Sequence, residues 1–385
     1  MRLGIVADEF FDEDVGRMGG FGWAARQVAR VFKKHPQLGV SIVFLAASLK
    51  SRNGSCHTCV HDTPLLFYTD GPGYRDHILK ENLDLILTID YRPNYSRILD
   101  ILSCTPVIVW VRDPRPPATQ ARLATLQFPG DCSISPKGIK FIDCTSLSLL
   151  PGPYVQPRRP FLFATPAPTL SLSIKDTYGI AATDCAFLPN VIDIEVGKVA
   201  KSETPRVIFL GRLDPIKRPW LFVELASAFP GVEFLMLGKS HFRERGGWPT
   251  RKLPENVQML GHVDGEQKLQ LLSSAWILVN TSIHEALPTS FLESLACETP
   301  LLSCHNPEGI VSRFGIFTGS WDGDGMGSLP AFADALAQLI EHNDWRTRLG
   351  QEGRQWVERT HNATMFLNAF DMLCARAEVY RLSLK

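Results

Sequence analysis

The sequence has 385 residues, more than one hydrophobic core usually covers, so we expect two domains. Hydrophobic residues make up 45% of the chain and the formal net charge is zero, which indicates a globular protein and argues against a nucleic-acid-binding protein. No run approaches the roughly 20 apolar residues of a transmembrane helix, and the N-terminal MRLGIVADEFFDED is unlike a signal peptide, so we expect a cytoplasmic protein with at most peripheral membrane contact.

Strand and helix patterns alternate along the first half of the chain. Apolar runs predict strands at residues 3–7, 40–45, 83–89, 106–111, 140–143 and 187–191. A loop with Gly16, Gly19, Gly20 and Gly22 follows the first strand, and a helix is predicted over 23–34. Prolines are frequent over 149–168, which we expect to be irregular.

The second half begins the alternation again. Strands are predicted at 206–211, 232–237, 257–260 and 276–280, helices at 220–229 and 265–275, and a helical pattern without strands from 330 to about 384. Alternating strands and helices are typical of parallel sheets. We therefore predict an α/β protein of two doubly wound, Rossmann-like domains that face a cleft. Their bounds are 1–190 and 205–365, with a linker at 191–204 and a C-terminal helix at 366–385 that packs back on the first domain.

Two glutamates lie eight positions apart in HEALPTSFLE, residues 284–293. This stretch follows the predicted strand at 276–280, and Pro288 suits the first position of a helix. Ligands of parallel α/β sheets bind beyond the carboxyl ends of the strands, so we expect Glu285, Glu293 and the amides of the first helical turn at one site. The alternative is a surface helix with acidic residues near its start, where they interact favourably with the helix dipole.

A second loop, GRLDPIKRP at residues 211–219, follows the strand at 206–211 and brings two or three cations to the same rim. Together with two helix N-termini, such cations neutralise a diphosphate without a metal. The alternative is a solvated turn before a helix that begins at a proline.

The sequence then resembles a known family. GRLDPIKRP, LMLGKS at 235–240, the segment at 256–282 and HEALPTSFLESLACETPLLS occur together, in order, as in the retaining glycosyltransferases of family 4, which have the GT-B fold. The first half is similar only through its glycine-rich loop. The resemblance implies transfer of a hexosyl group from a nucleotide-diphosphate sugar to a saccharide or lipid-linked acceptor, in polysaccharide or glycoconjugate synthesis. A UDP-sugar is favoured, with GDP-mannose as the second candidate. It also implies front-side attack with retention of configuration, without a cofactor or metal.

The resemblance assigns roles to individual residues. Arg212 and Lys217 hold the diphosphate, Glu285 the transferred sugar and Glu293 the ribose. The other donor-binding positions are the backbone of Ala286, Leu287, Pro288 and Thr289, Gly211 and Gly238, and His262 and Val263 at the base. Gly19, Gly20 and Gly22 let the backbone approach the donor phosphate or the acceptor.

The sequence departs from the family at three places. Ala286, Leu287 and Pro288 stand in a loop where many members have glycines, and Glu298 replaces the glycine of the Ala-Cys-Gly-Thr-Pro turn. Many members have a histidine after a first-half strand. Here the stretch contains Arg112, Asp113 and Arg115, which are candidates for the sugar or acceptor side. Their alternative is a strand-end turn with an internal salt bridge.

Metal binding is not expected. The pairs Asp12/Asp14 and Asp322/Asp324 are predicted to lie in solvated loops. Nine scattered cysteines fit a reducing compartment. The segment CHTCVH at 56–61 has zinc-ligand types but no second pair at zinc-finger spacing, so we expect an exposed loop with two free thiols.

Three alternative functions remain open at this point. A nucleotide-sugar epimerase or a sugar phosphorylase on the same fold is distinguished by incubation with donor alone. A catalytically silent nucleotide- or sugar-binding protein binds nucleotide without transfer. A dehydrogenase is disfavoured because the glycine-rich loop lacks the G-x-G-x-x-G order.

Overall fold

The computed structural model describes residues 1–15, 18–47, 56–69, 73–128, 160–192, 200–242 and 252–383. The strands are β1 (Arg2–Ala7), β2 (Ser41–Ala46), β3 (His57–Val60), β4 (Thr63–Phe67), β5 (Leu85–Ile89), β6 (Val107–Trp110), β7 (Phe161–Thr165), β8 (Cys185–Phe187), β9 (Arg206–Leu210), β10 (Glu233–Leu237), β11 (Val257–Gly261), β12 (Ile277–Asn280), β13 (Leu301–Ser303) and β14 (Gly315–Phe317). The helices are α1 (Gly20–Lys34), α2 (Gly73–Lys80), α3 (Ser96–Leu99), α4 (Pro117–Ala124), α5 (Leu170–Tyr178), α6 (Pro219–Ser227), α7 (Gly265–Ser274), α8 (Thr289–Ala296), α9 (Ile310–Arg313), α10 (Leu329–Glu341), α11 (Asn343–Thr360) and α12 (Ala363–Ser383).

The chain divides into two compact units. The first comprises Met1–Pro116, Cys144–Val191 and His361–Lys385, and the second comprises Pro117–Asp143 and Ile192–Thr360. The first unit contains a sheet of order β3-β4-β2-β1-β5-β6-β7-β8, and of its described strand pairs only β3–β4 is antiparallel. The second unit contains a parallel sheet of order β11-β10-β9-β12-β13-β14. Strands such as LILTI of β5 and ILVN of β12 are buried along their whole length, as parallel strands covered on both faces are.

Each sheet has one point at which the order of its strands reverses. In the second sheet the chain moves outward from β9 through β10 to β11 and then returns to place β12 on the other side of β9. In the first sheet β1 and β5 have the same relation. Loops that leave neighbouring strands at such a point diverge to opposite faces and open a crevice for ligands.

Helix α12 belongs to the first unit. The ring of Phe366 lies 6.3 Å from Phe32 of α1 and 5.8 Å from Trp110 of β6. The backbone amide of Asn190 donates to Nδ1 of His361 at 3.2 Å, just before the helix begins. Burial lowers the pKa of His361 to about 3, so the imidazole stays neutral and acts as an acceptor at neutral pH.

The segment 117–128 differs from the expected domain division, because it groups with the second unit. Leu123 and Leu126 are buried in the same core as Trp220, and the ring of Phe128 lies 5.5 Å from that of Trp220. Nε of Arg122 donates to Asp322 at 2.7 Å. These apolar side chains lie in and just beyond α4 and share a core with Trp220 of α6, a contact that no local pattern in the first half reveals.

Three predicted elements need correction. Strand β7 lies within the stretch 149–168 expected to be irregular, because Phe161–Thr165 is a run of apolar and β-branched residues between two prolines. The last strand of the first unit is Cys185–Phe187, not 187–191, since Pro189 interrupts it. Residues 57–59 of CHTCVH are exposed, as expected, but they lie in a strand and not in a loop. Residues 57–60 form β3, which joins β4 through a two-residue turn with both φ angles positive.

The predicted strand at 140–143, Gly16 of the glycine-rich loop and residues 193–199 of the expected linker lie outside the described residues. No helix in the described ranges is long and apolar enough to cross a membrane.

Candidate active site

A lysine and a glutamate meet where the strand order of the second sheet reverses. Lys217 ends the 3₁₀ turn (Pro215–Lys217) that follows β9, and Glu285 lies in the loop after β12. Nζ of Lys217 donates to Oε1 of Glu285 at 2.5 Å. The Lys217 side chain is 21% exposed and that of Glu285 8% exposed, so the lysine has the greater access to solvent.

Two further side chains hold the carboxylate of Glu285. Nδ2 of Asn280 and Oγ of Ser282 donate to Oε1 at 2.9 and 2.7 Å. Burial alone raises the pKa of Glu285, but Lys217, Ser282 and Asn280 outweigh burial and leave the pKa below its ordinary value. Glu285 is therefore ionised at neutral pH. Neither Asn280 nor Ser282 was singled out from the sequence, although Asn280 ends β12 and Ser282 follows it by two residues.

The two arginines of the GRLDPIKRP loop have different environments. The side chain of Arg212 is 40% exposed and its Nε lies 3.6 Å from Asp214. Arg218 is fully buried and donates to the backbone carbonyls of Thr281, Ser282 and Trp321 at 2.8–3.1 Å. Arg218 therefore joins the loop after β9 to the loop after β12. Of the two or three cations expected at the rim, Arg212 and Lys217 are the two with exposed side-chain surface.

The helical segments near this site differ in how their N-terminal amides are capped. No side chain among the described residues caps α8, so its first-turn amides remain for other acceptors, except that of Phe291, which donates to the carbonyl of Pro288. Pro288 has no N–H, which leaves Ala286, Leu287 and Thr289 as donors among the four expected positions. By contrast, Oδ1 of Asp214 accepts the amide of Lys217 at 3.1 Å. Asp214 thus caps the 3₁₀ turn Pro215–Lys217, whereas α6, which begins at Pro219, has no capping side chain among the described residues.

Glu293 takes part in a buried ion pair. Nζ of Lys268, on α7, lies 2.7 Å from Oε1 of Glu293 and 3.2 Å from Oδ1 of Asp264. Burial lowers the pKa of Lys268, but the two carboxylates more than compensate and the net shift is upward. Asp264 directly follows His262 and Val263, so this chain of charges links the loop after β11 to α8. Lys268 was not singled out from the sequence, because the packing of α7 against α8, and not residue spacing, brings it to Glu293.

This ion pair changes what is expected of a Glu293 variant. Removing one partner of a buried pair costs roughly 3–5 kcal/mol because the other charge is left uncompensated. We expect Glu293→Gln and Lys268→Met each to lower the melting temperature, and the double variant to recover part of the loss. If Glu293 also binds a ribose, nucleotide affinity measured by calorimetry falls in Glu293→Gln and in the double variant but is largely kept in Lys268→Met. Affinity that follows stability through all three variants would contradict a binding role.

Gly238 packs so closely against Gly211 that it has a steric reason to be a glycine. A Cβ on Gly238 would lie 1.8 Å from the carbonyl oxygen of Gly211, so no side chain fits there. The amide of Gly211 donates to Leu237 and that of Gly238 to Gly261. The ends of β9, β10 and β11 are thereby held in close register beside Arg212.

The glycine-rich loop of the first unit surrounds a carboxylate. Oε1 of Glu9 accepts the amides of Phe21 and Gly22 at 2.9 and 3.2 Å, in the first turn of α1. A Cβ on Gly19 would lie 2.3 Å from Glu9, whereas Gly20 has open space around its Cα. Gly19 and Gly22 thus make room for Glu9 and its backbone. The protein's own carboxylate thus binds amides of the loop whose backbone was expected to approach the donor phosphate or the acceptor.

Arg112, Asp113 and Arg115 lie at the end of β6, in the first unit. Arg115 pairs with Asp113 at 2.6 Å, which is the internal salt bridge of the alternative interpretation. Arg112 is buried, lies 4.4 Å above the ring of Trp110, and its Nη1 has no hydrogen-bond partner among the described residues. Burial lowers the pKa of Arg112 to about 10, with Asp90 opposing the shift, so it remains a cation.

Asp90 was not singled out from the sequence. It follows β5, is fully buried by its neighbours, and accepts the Tyr178 hydroxyl and the amide of Asp113 at 3.2 and 3.1 Å. Burial, followed by the charge of Asp113, raises the pKa of Asp90 to about 6. The only available signal was its position at the carboxyl end of a predicted strand.

His305 is a second residue that sequence reasoning missed. It follows β13 and its ring lies 6.2 Å from that of His284, next to Glu285 in the chain. Burial lowers the pKa of His305 to about 4, and its Nε2 finds no hydrogen-bond partner among the described residues. A neutral imidazole therefore stands close to the Glu285 loop.

Three of the four aspartates in the two pairs accept hydrogen bonds within the protein. Oδ1 of Asp12 accepts the amide of Asp14 at 2.9 Å. Asp322 pairs with Arg122, and Oδ1 of Asp324 accepts the amide of Met326. These contacts order the loops in which the aspartates lie.

Comparison with known proteins bears on the second unit first. Residues 192–356 match the model of the family described as Glycosyl transferases group 1. The lipopolysaccharide core biosynthesis glycosyltransferase LpsE of Rhizobium meliloti (strain 1021) is 25% identical over 182 residues. That match covers 45% of this chain and 51% of LpsE, so the chain is similar to about half the length of this relative.

Solved structures match nearly the whole chain. HepE of Anabaena, in complex with UDP-glucose, superposes with a TM-score of 0.68 at 14% identity, over 97% of this chain and 100% of HepE. The sucrose-phosphate synthase of Thermosynechococcus elongatus superposes with a TM-score of 0.72 at 15% identity, over 98% and 99% of the two chains. The protein therefore has the GT-B fold predicted from its sequence, with two parallel-sheet α/β domains and a helical C-terminal region.

Proposed function

We propose that the protein is a glycosyltransferase that moves a hexosyl group from a nucleotide-diphosphate sugar to a saccharide or lipid-linked acceptor. A UDP-sugar is the favoured donor, with GDP-mannose second. HepE was solved with UDP-glucose, and LpsE is described by its role in lipopolysaccharide core synthesis, which supports a UDP-sugar and a saccharide acceptor. The cytoplasmic location expected from the sequence stays a prediction.

The observation that carries this proposal is the contact between Lys217 and Glu285. It lies at the reversal of strand order in the unit that matches the family model. A cation for a diphosphate and an ionised carboxylate for sugar hydroxyls stand side by side there. In a nucleotide-diphosphate sugar the sugar is bonded directly to the diphosphate, so the groups that bind them must be adjacent.

In this proposal Lys217, Arg212 and the α8 amides bind the diphosphate. The ammonium group has three N–H bonds, and its described contact with Glu285 uses one of them. The remaining N–H bonds are donors for a phosphate oxygen. As the bond between the anomeric carbon and the phosphate oxygen breaks, negative charge grows on the departing diphosphate, and fixed cations and amides stabilise that charge.

In this proposal Glu285 binds the transferred sugar. The described hydrogen bonds from Lys217, Asn280 and Ser282 all end on Oε1, so Oε2 keeps acceptor capacity for sugar hydroxyls. The acceptor hydroxyl oxygen forms the new bond to the anomeric carbon on the face that the phosphate leaves, and its proton passes to the departing phosphate oxygen. Configuration is then retained.

A thermal-shift screen against UDP, GDP and ADP tests the donor class. A ligand at 100 times its dissociation constant stabilises the folded state by about 2.7 kcal/mol, and we expect the largest shift from UDP. Stabilisation by none of the three would refute the proposal. Incubation of the protein with UDP-glucose alone is the control: conversion of the sugar without an acceptor would indicate an epimerase instead, and NMR of the transfer product tests retention.

We expect turnover to persist in excess EDTA. Arg212, Lys217 and the α8 amides supply the positive charge that a divalent ion supplies in metal-dependent transferases. The measurement is initial transfer rate before and after chelation. Activity lost in EDTA and restored by Mn²⁺ or Mg²⁺ would overturn this account and return attention to Asp12, Asp14, Asp322 and Asp324.

A further inference from the structure

A cysteine and two histidines lie together at the outer edge of the first sheet. Cys56 precedes β3, His57 begins it, and His77 lies on α2. Their ligand atoms, one from each residue, all lie within 4.8 Å of one another. Sγ of Cys56 is 3.5 Å from Nδ1 of His77, and the two imidazole rings are 5.1 Å apart and nearly perpendicular.

Both elements that carry these side chains are fixed by other contacts. The carbonyl of Cys56 accepts the amide of Phe67 at 3.0 Å, which ties the start of β3 to the end of β4. Tyr74 and Ile78 of α2 are buried in the core of the first unit, and His77 lies directly before Ile78 on that helix. The positions of the three ligands therefore follow from the packing of the hairpin and the helix.

The distances suit a tetrahedral ion. Zn–S bonds of about 2.3 Å and Zn–N bonds of about 2.0–2.1 Å place neighbouring ligand atoms roughly 3.3–3.8 Å apart. The separation between Cys56 and His77 already has this value. His57 is exposed, so rotation of its side chain closes the remaining gap without moving the backbone. A thiolate with imidazoles selects Zn²⁺ over Mg²⁺ and Ca²⁺, which prefer oxygen ligands.

We propose that Cys56, His57 and His77 bind Zn²⁺, with the fourth position open to water. On binding, the Cys56 thiol releases its proton to solvent as the Zn–S bond forms, and the two histidines bind as neutral imidazoles. The ion joins the edge hairpin to α2. Cys59 is the second cysteine of the CHTCVH segment, but it does not belong to this cluster of described ligands.

This site is independent of the proposed transferase activity. Its three ligands belong to the first unit, whereas Lys217 and Glu285 belong to the second. Transfer by a Cys56→Ser variant is therefore expected at the wild-type rate under conditions in which the variant is folded. Failure of either proposal leaves the other standing.

Cobalt substitution tests the site directly. The purified full-length protein, first freed of metal with a chelator, is titrated with Co²⁺. We expect one equivalent to give a thiolate-to-cobalt charge-transfer band in the near ultraviolet and the visible bands of tetrahedral Co²⁺, both abolished by Zn²⁺. Cys56→Ser should lose the charge-transfer band, and His77→Asn should weaken Zn²⁺ binding by about 10–100-fold or more, the range seen when even the outer partners of a metal site are lost.

Cys59→Ser is the matched control, because it removes an exposed thiol from the same hairpin. It should bind cobalt like the wild type. A wild-type titration without a thiolate band, or a Cys59→Ser variant that loses it as fully as Cys56→Ser, would overturn the proposal. Should a variant fail to fold, alkylation of the wild type decides: Zn²⁺ should protect Cys56 and leave Cys59 reactive, and equal labelling of both would count against the site.

Discussion

Replacing Glu285 with Gln should lower the turnover number by roughly 10²–10³-fold, the cost of removing one preorganised electrostatic group from a transition state. Nucleoside diphosphate affinity should be unchanged or slightly higher. The reason is the 2.5 Å contact with Lys217. A diphosphate shares that lysine with Glu285, so neutralising the carboxylate leaves more of the ammonium for phosphate. Only the sugar and its transition state lose a partner, and such a loss appears in turnover.

Ser282→Ala is the matched control for this experiment. It removes one hydrogen bond to Oε1 of Glu285 and keeps the charge, so its effect should be near tenfold or less, about 0.5–1.5 kcal/mol. Calorimetry with UDP and steady-state kinetics on both variants separate binding from turnover. Normal turnover in Glu285→Gln would remove that residue from the site.

Replacing Lys217 with Ala should weaken nucleoside diphosphate binding by about 1.5–3 kcal/mol, because a charge-assisted bond is lost. Free nucleoside should bind almost as in the wild type. A pH effect should accompany the loss. In the wild type Lys217 opposes burial and keeps the pKa of Glu285 low, so the carboxylate is ionised above that pKa. Without Lys217, burial raises the pKa, and residual turnover should climb as pH rises and Glu285 regains its charge.

Arg212→Ala distinguishes the two effects of Lys217. It removes a phosphate cation but leaves the contact between Lys217 and Glu285 intact, so diphosphate binding should weaken while the pH profile stays that of the wild type. Equal losses of nucleoside and nucleoside diphosphate affinity in Lys217→Ala would mean that the substitution damaged the fold. A flat pH profile in that variant would mean that Glu285 titrates independently of Lys217.

The second unit was predictable because its signals are local and strong. Long apolar runs gave β9, β10, β11 and β12, and helical spacing after proline gave α6 and α8. The hairpin β3–β4 was missed because HTCV is short and half polar, and because its turn is made by His61 and Asp62 in place of the usual Asn-Gly. Strand β14 was missed because it is only Gly315–Phe317.

The contacts of the candidate site were beyond local reasoning. Lys217 and Glu285 are 68 residues apart in the sequence. They meet because β12 pairs with β9, whereas the two intervening strands, β10 and β11, lie on the opposite side of β9. Lys268 reaches Glu293 because α7 and α8 pack together. Each motif could be identified alone, but its partner depends on strand order and helix packing. The same holds for Glu9, whose carboxylate ends at the glycine-rich loop twelve residues later.

Both units are built from segments that are far apart in the sequence, which constrains when each unit can complete its core during synthesis on the ribosome. The first unit needs α12, whose Phe366 and Phe370 cover Phe32, so its core stays open until the segment after Thr360 has emerged. In the second unit the delay affects an early segment. Leu123 and Leu126 are synthesised long before Trp220, with which they share a core. Nascent chains halted at residue 190 should therefore expose apolar side chains at both places and depend on chaperones, although they contain every strand of the first sheet.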